Sequence, residues 1–96
     1  MNTGKDAISD KFKSKLDQAD ARIDLLKAKA DEADAKTRIR LHEEIEDLKS
    51  RRDSLRKKLE GLRDSSGDAW RDLQAGAEAG WRSLSNALER AASRFG

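Results

Sequence analysis

The sequence lacks Cys, Pro, Tyr and Val, and it has only two Phe and two Trp. The absence of Cys excludes disulfides, thiolate nucleophiles and zinc–thiolate sites. A β-sandwich or a β-barrel needs β-branched and aromatic side chains and many turns, so the scarcity of these residues argues against both folds. The composition therefore predicts an all-α protein.

Long hydrophobic runs are also missing. Residues 1–15 contain no apolar segment typical of a signal peptide, and no run in the chain approaches the length of a membrane span. We therefore expect a cytoplasmic protein, whose membrane contact, if it has one, is peripheral and at the inner membrane.

Groups that carry catalysis or bind metals are scarce as well. The single His, His42, has Glu46 one helical turn away, and two ligands of this kind do not hold a metal ion well. Ser65 and Ser66 have no base near them, and no glycine-rich loop follows a strand. The sequence predicts no catalytic residue, no metal site and no cofactor, which indicates a protein that is not an enzyme.

Charged residues, in contrast, make up 42% of the chain, and the 21 basic and 19 acidic side chains are interleaved. This pattern is typical of solvated helix surfaces. One basic cluster stands out within residues 49–58, and a helix would spread it around most of its circumference. Nucleic-acid binding is therefore not expected, whereas contact with an anionic membrane surface stays open. The candidate anion contacts are Arg51, Arg52, Arg56, Lys57 and Lys58.

An apolar heptad stripe runs through the first two thirds of the chain. Its steps of 3 and 4 residues begin at Leu16, slip by one residue within 37–45, and then resume. Because neither Gly nor Pro marks a turn at the slip, the pattern predicts one continuous coiled-coil helix over residues 1–64. The stripe is the candidate self-association surface, and its members are Ile8, Phe12, Leu16, Ile23, Leu26, Leu41, Ile45, Leu48, Leu55, Leu59 and Leu62.

The heptad stripe is thin. The positions where a strong zipper has Leu or Ile are held here by Ala19, Ala30, Ala33 and Thr37, and Arg52 occupies a further seam position. Such a seam is either weak or suited to a close-packed partner.

A break is predicted at residues 65–67. Gly67 suits the position just after a helix, and Ser65, three residues before Asp68, fits a helix N-cap. The sequence does not decide between a true turn and a frayed point in one very long helix.

Beyond the break, residues 68–96 carry an eleven-residue repeat that places Trp70 and Trp81 on one face of a shorter amphipathic helix. This face packs on the first helix, binds a lipid or granule surface, or binds another protein. The net charge of −1 over residues 64–96 weighs against lipid, because strong lipid binders usually have a basic polar face. The residues of the face are Trp70, Leu73, Ala77, Trp81, Leu84, Leu88 and Phe95.

Three stretches of the chain carry a resemblance. They are LKAKADEADAK at 26–36, IEDLKSRRD at 45–53, and GDAWRDLQAG at 67–76 together with ASRF at 92–95. They resemble a family of short bacterial coiled-coil proteins, which implies a bacterial, non-secreted helical protein and brings no activity with it. The eleven-residue repeat is also similar to phasins, which coat storage granules, and to late-embryogenesis-abundant and apolipoprotein-like helices, but that similarity implies no functional residue.

Neither predicted helix buries its apolar face alone, so a helical hairpin or bundle is expected. In a hairpin the second helix folds back on residues 37–62, and the stripe within residues 8–33 stays uncovered, which predicts a homo-oligomer. Three functions follow. The leading one is a non-enzymatic coiled-coil protein that associates with itself or with a helical partner; the others are a peripheral membrane or granule-surface binder, and a partly disordered stress protectant.

Overall fold

The computed structural model of the chain describes residues 4–65 and 67–95, and within them it is all-helical, as predicted. Helix α1 spans Gly4–Asp31, α2 spans Ala35–Asp64 and α3 spans Ala69–Phe95. Each helix packs against the other two, in a bundle 51 Å long and 20 by 18 Å across. Short connections make α2 antiparallel to its two neighbours.

The first connection, residues 32–34, shows that the prediction of one continuous helix over 1–64 is wrong. Asp34 has an extended backbone and caps α2, because its Oδ1 accepts a hydrogen bond from the backbone N–H of Thr37 at 2.9 Å. The bond satisfies an N–H that the first turn of a helix leaves unpaired, and it holds the pKa of Asp34 below its ordinary value. A short polar side chain therefore starts the new helix where Gly and Pro are both missing.

The second connection lies between Asp64 and Ala69 and spans the predicted break at 65–67, of which residue 66 lies outside the described residues. The backbone N–H of Ser65 donates to the carbonyl oxygen of Leu62 at 3.4 Å. Gly67 has a φ of +64°, in the left-handed region that residues with a side chain seldom adopt.

Two glycines should respond to the same substitution in opposite directions. Gly67→Ala is expected to lower the free energy of unfolding by about 1 kcal/mol, because a Cβ strains the left-handed backbone. Gly76→Ala is expected to raise it by about 1 kcal/mol, because Gly76 lies inside α3 and a Cβ there meets nothing within 4 Å. Urea unfolding of both variants measures the two shifts, and equal signs would contradict this account of the turn.

The core of the bundle is a single column of buried apolar side chains contributed by all three helices. Five of its sixteen members are Ala, which lets the helix backbones approach closely. The buried residues are Phe12, Leu16, Ala19, Ile23, Leu26, Ala30, Ile45, Leu48, Leu55, Leu59, Leu62, Ala77, Leu84, Ala87, Leu88 and Ala91.

Candidate functional site

The predicted self-association stripe lies in the core of one chain. Ile8 and Leu41 are half-buried against that core, and the other nine members are buried. The expectation that the stripe within residues 8–33 stays uncovered is therefore wrong for the folded chain. The turn at residues 32–34 is the reason, because it folds α1 back onto α2 and α3. A second copy has no access to this stripe while the bundle is closed.

The tail face also packs within the chain. Ala77, Leu84 and Leu88 of α3 are buried, and the remaining four members, Trp70, Leu73, Trp81 and Phe95, are half-buried at the edge of the core. Packing on the other helices is thus the arrangement that the closed bundle adopts for this face.

The Trp81 indole forms part of an open groove between α1 and α3, with a volume of about 370 Å³. The ammonium Nζ of Lys15 lies 5.1 Å from the centre of the Trp81 ring and 5.8 Å from that of Phe12, within cation–π range. The rest of the lining mixes both charges, with Glu78 beside Arg82. The groove is therefore a contact surface of mixed character.

The predicted anion contacts are divided among the neighbouring helices. Arg51 turns toward α3, where its guanidinium donates to Ser83 Oγ at 2.5 Å, and it also donates to Oδ2 of Asp47 on its own helix at 2.8 Å. Lys57 and Lys58 are exposed, and Lys58 Nζ lies beside Gly80 of α3. The cluster at residues 49–58 thus does not form one basic face.

Arg52 and Arg56 turn the other way and meet Asp20 of α1. Their guanidinium nitrogens donate to the two carboxylate oxygens of Asp20 at 3.0 and 3.1 Å, and Asp53 accepts from Arg52 at 3.0 Å. Partial burial by itself lowers the pKa of Arg52, but its hydrogen bonds to Asp53 and Asp20 outweigh that effect and raise it above the ordinary value. Arg52, which occupies a position of the heptad stripe, therefore joins α2 to α1, and the carboxylates of Asp20 and Asp53 compensate its charge.

His42 serves a similar purpose near the first turn. Its Nε2 lies 3.0 Å from Oδ1 of Asp31, the last residue of α1. At the same end of the bundle, Arg94 of α3 forms an ion pair with Glu44 of α2. These polar contacts tie the ends of the helices together.

The outer face of α1, opposite the core, is a surface that the sequence analysis missed. Five exposed and uncharged residues follow one another there at steps of 4 and 3, and Leu25 is the largest, with 64% of its surface exposed. A second heptad pattern thus lies back to back with the buried one. We call this surface the outer strip; it comprises Ser14, Gln18, Ala21, Leu25 and Ala28.

Charges of opposite sign line the two sides of the outer strip. The acidic flank consists of Asp10, Asp17 and Asp24. The basic flank consists of Lys15, Arg22 and Lys29. Within each flank the residues are seven apart in sequence, which places them nearly above one another on a helix. This seven-residue recurrence of one sign was the available sequence signal.

The flanks have few partners among the described residues. In the part of the chain that the structure describes, Asp10, Asp17, Asp24, Arg22 and Lys29 form no ion pair, whereas Asp20 on the inward side has two Arg partners. Asp20, on the side of α1 that faces α2, is therefore paired, whereas five of the six charges that border the outer strip form no ion pair among the described residues; the sixth, Lys15, contacts the Trp81 ring.

No protein-family model, curated protein or solved structure matches the chain. Within residues 4–65 and 67–95, no helix combines the length and the apolar character needed to cross a bilayer. The resemblance to short bacterial coiled-coil proteins stays a prediction, and the surfaces described above carry the functional argument.

Proposed function

We propose that this protein is a non-enzymatic helical interaction module that associates with copies of itself through the outside of the closed bundle. The observation that carries the proposal is the outer strip, an exposed and uncharged face on a chain in which 42% of the residues are charged. Uncharged, partly apolar surface with a charged rim is typical of protein interfaces. The interface proposed here differs from the buried heptad stripe.

The polar contacts of the bundle support a structural role. The single His pairs with Asp31 across the first turn, and the partly buried Arg52 pairs with Asp20 across α1 and α2. Both side chains thus hold helices together, and neither faces a hydroxyl nucleophile in these contacts.

Surface binding by α3 is the second candidate, favoured by one specific observation. Trp70 and Trp81 are only half-buried, so the indoles already lie at the edge of the core. Full insertion into a lipid surface would nevertheless remove Leu84 and Leu88 from the core, and this loss opposes the opening of the bundle. Because lipid insertion would disrupt this core, the closed bundle favours self-association over surface binding by α3.

Sedimentation across a concentration series tests the proposal. We expect the average mass to rise from that of one chain toward that of two, while Trp emission stays constant because the indoles pack within each chain. Leu25→Gln should weaken the association. Ile39→Gln is the matched control, because Ile39 is 65% exposed on α2 and lies outside the outer strip.

Three results would contradict the proposal. A constant monomer mass would exclude self-association. A blue shift of Trp emission on anionic vesicles, with unchanged mass in solution, would favour the surface-binding candidate. Low helicity in dilute solution would favour the stress-protectant hypothesis.

A further inference from the structure

We infer that two copies of this chain pair through their outer strips with the α1 helices parallel and in register. The inference rests on the proposed self-association and adds the surface, the orientation and the ion pairs. It is carried by the two flanks of opposite charge, whose members form no ion pair with any residue that the structure describes.

The outer strip has the layout of a coiled-coil seam. Gln18 and Leu25 hold one of its two seam positions, and Ser14, Ala21 and Ala28 hold the other. Each residue of the acidic flank comes directly before the seam position that Gln18 and Leu25 hold. Each residue of the basic flank comes directly after the other seam position. These are the two places from which helices of a coiled coil form ion pairs across a seam.

Charge selects the orientation of the pair. In a parallel coiled coil, each residue of the acidic flank faces the basic residue of its partner that lies five positions later in the sequence. Asp10 then meets Lys15, Asp17 meets Arg22, and Asp24 meets Lys29 of the other copy, on both sides of the seam. In an antiparallel pair each flank faces its own counterpart, so Asp meets Asp and basic residues meet basic residues. The parallel, in-register pair is the arrangement in which every facing pair of charges is attractive.

A second copy fits this surface without any further partner. A two-fold axis that lies between the two α1 helices and is parallel to them brings the acidic flank of each copy against the basic flank of the other, so the face is complementary to itself. Any other partner would need the same alternation of charge at the same spacing. The two remaining helices of each bundle lie on the far side of α1 and stay clear of the contact.

The contact is short and weak. Lys11 occupies the seam position before Ser14, where two copies would bring like charges together, so the seam is confined to residues 14–28, about 22 Å of helix. The ammonium of Lys15 already lies 5.1 Å from the Trp81 ring centre, which weakens its ion pair with Asp10 of the other copy. Exposed ion pairs are screened as the Debye length falls from about 10 Å at 0.1 M salt to about 3 Å at 1 M. Association should therefore be lost at high salt.

Single cysteines test the orientation, because the natural sequence contains none. Ser14→Cys and Ala28→Cys each place a thiol on the seam, and Ser50→Cys places one on the exposed outer side of α2 as a control. In a parallel, in-register pair, identical seam positions approach within the Cα separation of about 4.4–6.8 Å that a disulfide needs. We expect Ser14→Cys and Ala28→Cys each to form a disulfide dimer with itself under mild oxidation, and Ser50→Cys to stay monomeric.

The possible outcomes separate this inference from the proposed function. Disulfides that form when Ser14→Cys is mixed with Ala28→Cys, and in neither variant alone, would show that the two copies are not parallel and in register and would overturn the inference, while self-association stands. If the chain self-associates in sedimentation but the seam variants form no more disulfide dimer than Ser50→Cys, the interface lies on another face and the inference is also overturned. A monomer in sedimentation, without disulfides above the control, would overturn both.

Charge reversal supplies a second test that does not depend on the cysteine geometry. In the Ala28→Cys background, one variant carries Asp17→Lys with Asp24→Lys, and the other carries Arg22→Asp with Lys29→Asp. Each variant alone should lose the disulfide dimer, because like charges then face each other on both sides of the seam. Mixing the two should restore it, and circular dichroism should show unchanged helicity, since all four positions are exposed. Disulfide yields unaffected by reversal would overturn the ion-pair assignment.

Discussion

Leu55→Ala is expected to lower the free energy of unfolding by about 2–5 kcal/mol, whereas Leu25→Ala leaves it within about 0.5 kcal/mol. Leu55 lies in the C-terminal half of α2 and has no exposed surface. Its Cδ1 reaches to within 3.4 Å of where a Cβ on Gly80 of α3 would be, so the two helices are in close contact there. Truncation removes apolar contacts and leaves a cavity that this close packing prevents from collapsing fully.

Leu25 is the matched control for this substitution, since it is the same residue type but 64% exposed. Urea unfolding, followed by circular dichroism at a concentration where the chain is monomeric, measures both changes. Equal losses at the two positions would mean that α1 buries its other face, and the bundle described above would be wrong. A transition of Leu55→Ala that depends on protein concentration would place Leu55 in an interface between chains.

Ala19→Leu separates the closed bundle from an intermolecular coiled coil, because the two arrangements predict opposite signs. In a thin zipper seam, Leu in place of Ala strengthens the association of helices. In the bundle Ala19 is fully buried among three helices, and the added side chain must displace its neighbours. We therefore expect the free energy of unfolding to fall by about 1–3 kcal/mol.

Ala28→Leu controls for the substitution itself, since Ala28 lies on the same helix but is exposed. Its effect on the unfolding of the monomer should stay within about 0.5 kcal/mol, because Ala and Leu differ little in helix propensity. A higher melting temperature for Ala19→Leu than for the unchanged chain would indicate that the stripe pairs between chains.

The buried face of each helix was predictable from the sequence. The steps of 3 and 4 residues select the apolar positions that lie on one side of an α-helix, whatever that side packs against. For this reason Ile23, Ile45 and Leu62 were assigned to an apolar face and are buried, and Trp81 was assigned to the tail face and packs on the core. The spacing of apolar residues identified the face of each helix but not what that face packs against.

The turn at residues 32–34 was not predictable by the same reasoning. Asp34 is one of 19 acidic residues, and its capping role depends on a backbone conformation that its type permits but does not require. The basic cluster was misleading for a related reason. Arg52 and Arg56 look like free cations in the sequence, and their partner Asp20 lies 32 and 36 residues away along the chain.

The order of residues alone establishes that the chain is helical, which side of each helix is apolar, and how charge is distributed along each helix. These properties depend on residues a few positions apart, and helical periodicity relates such residues directly. The packing of the three helices establishes that the apolar stripe of α1 is covered by the same chain, and therefore which surface is left outside. That choice depends on where the chain reverses, since a single reversal at residues 32–34 converts a face open to other chains into a core and turns Leu25 and its charged flanks toward solvent.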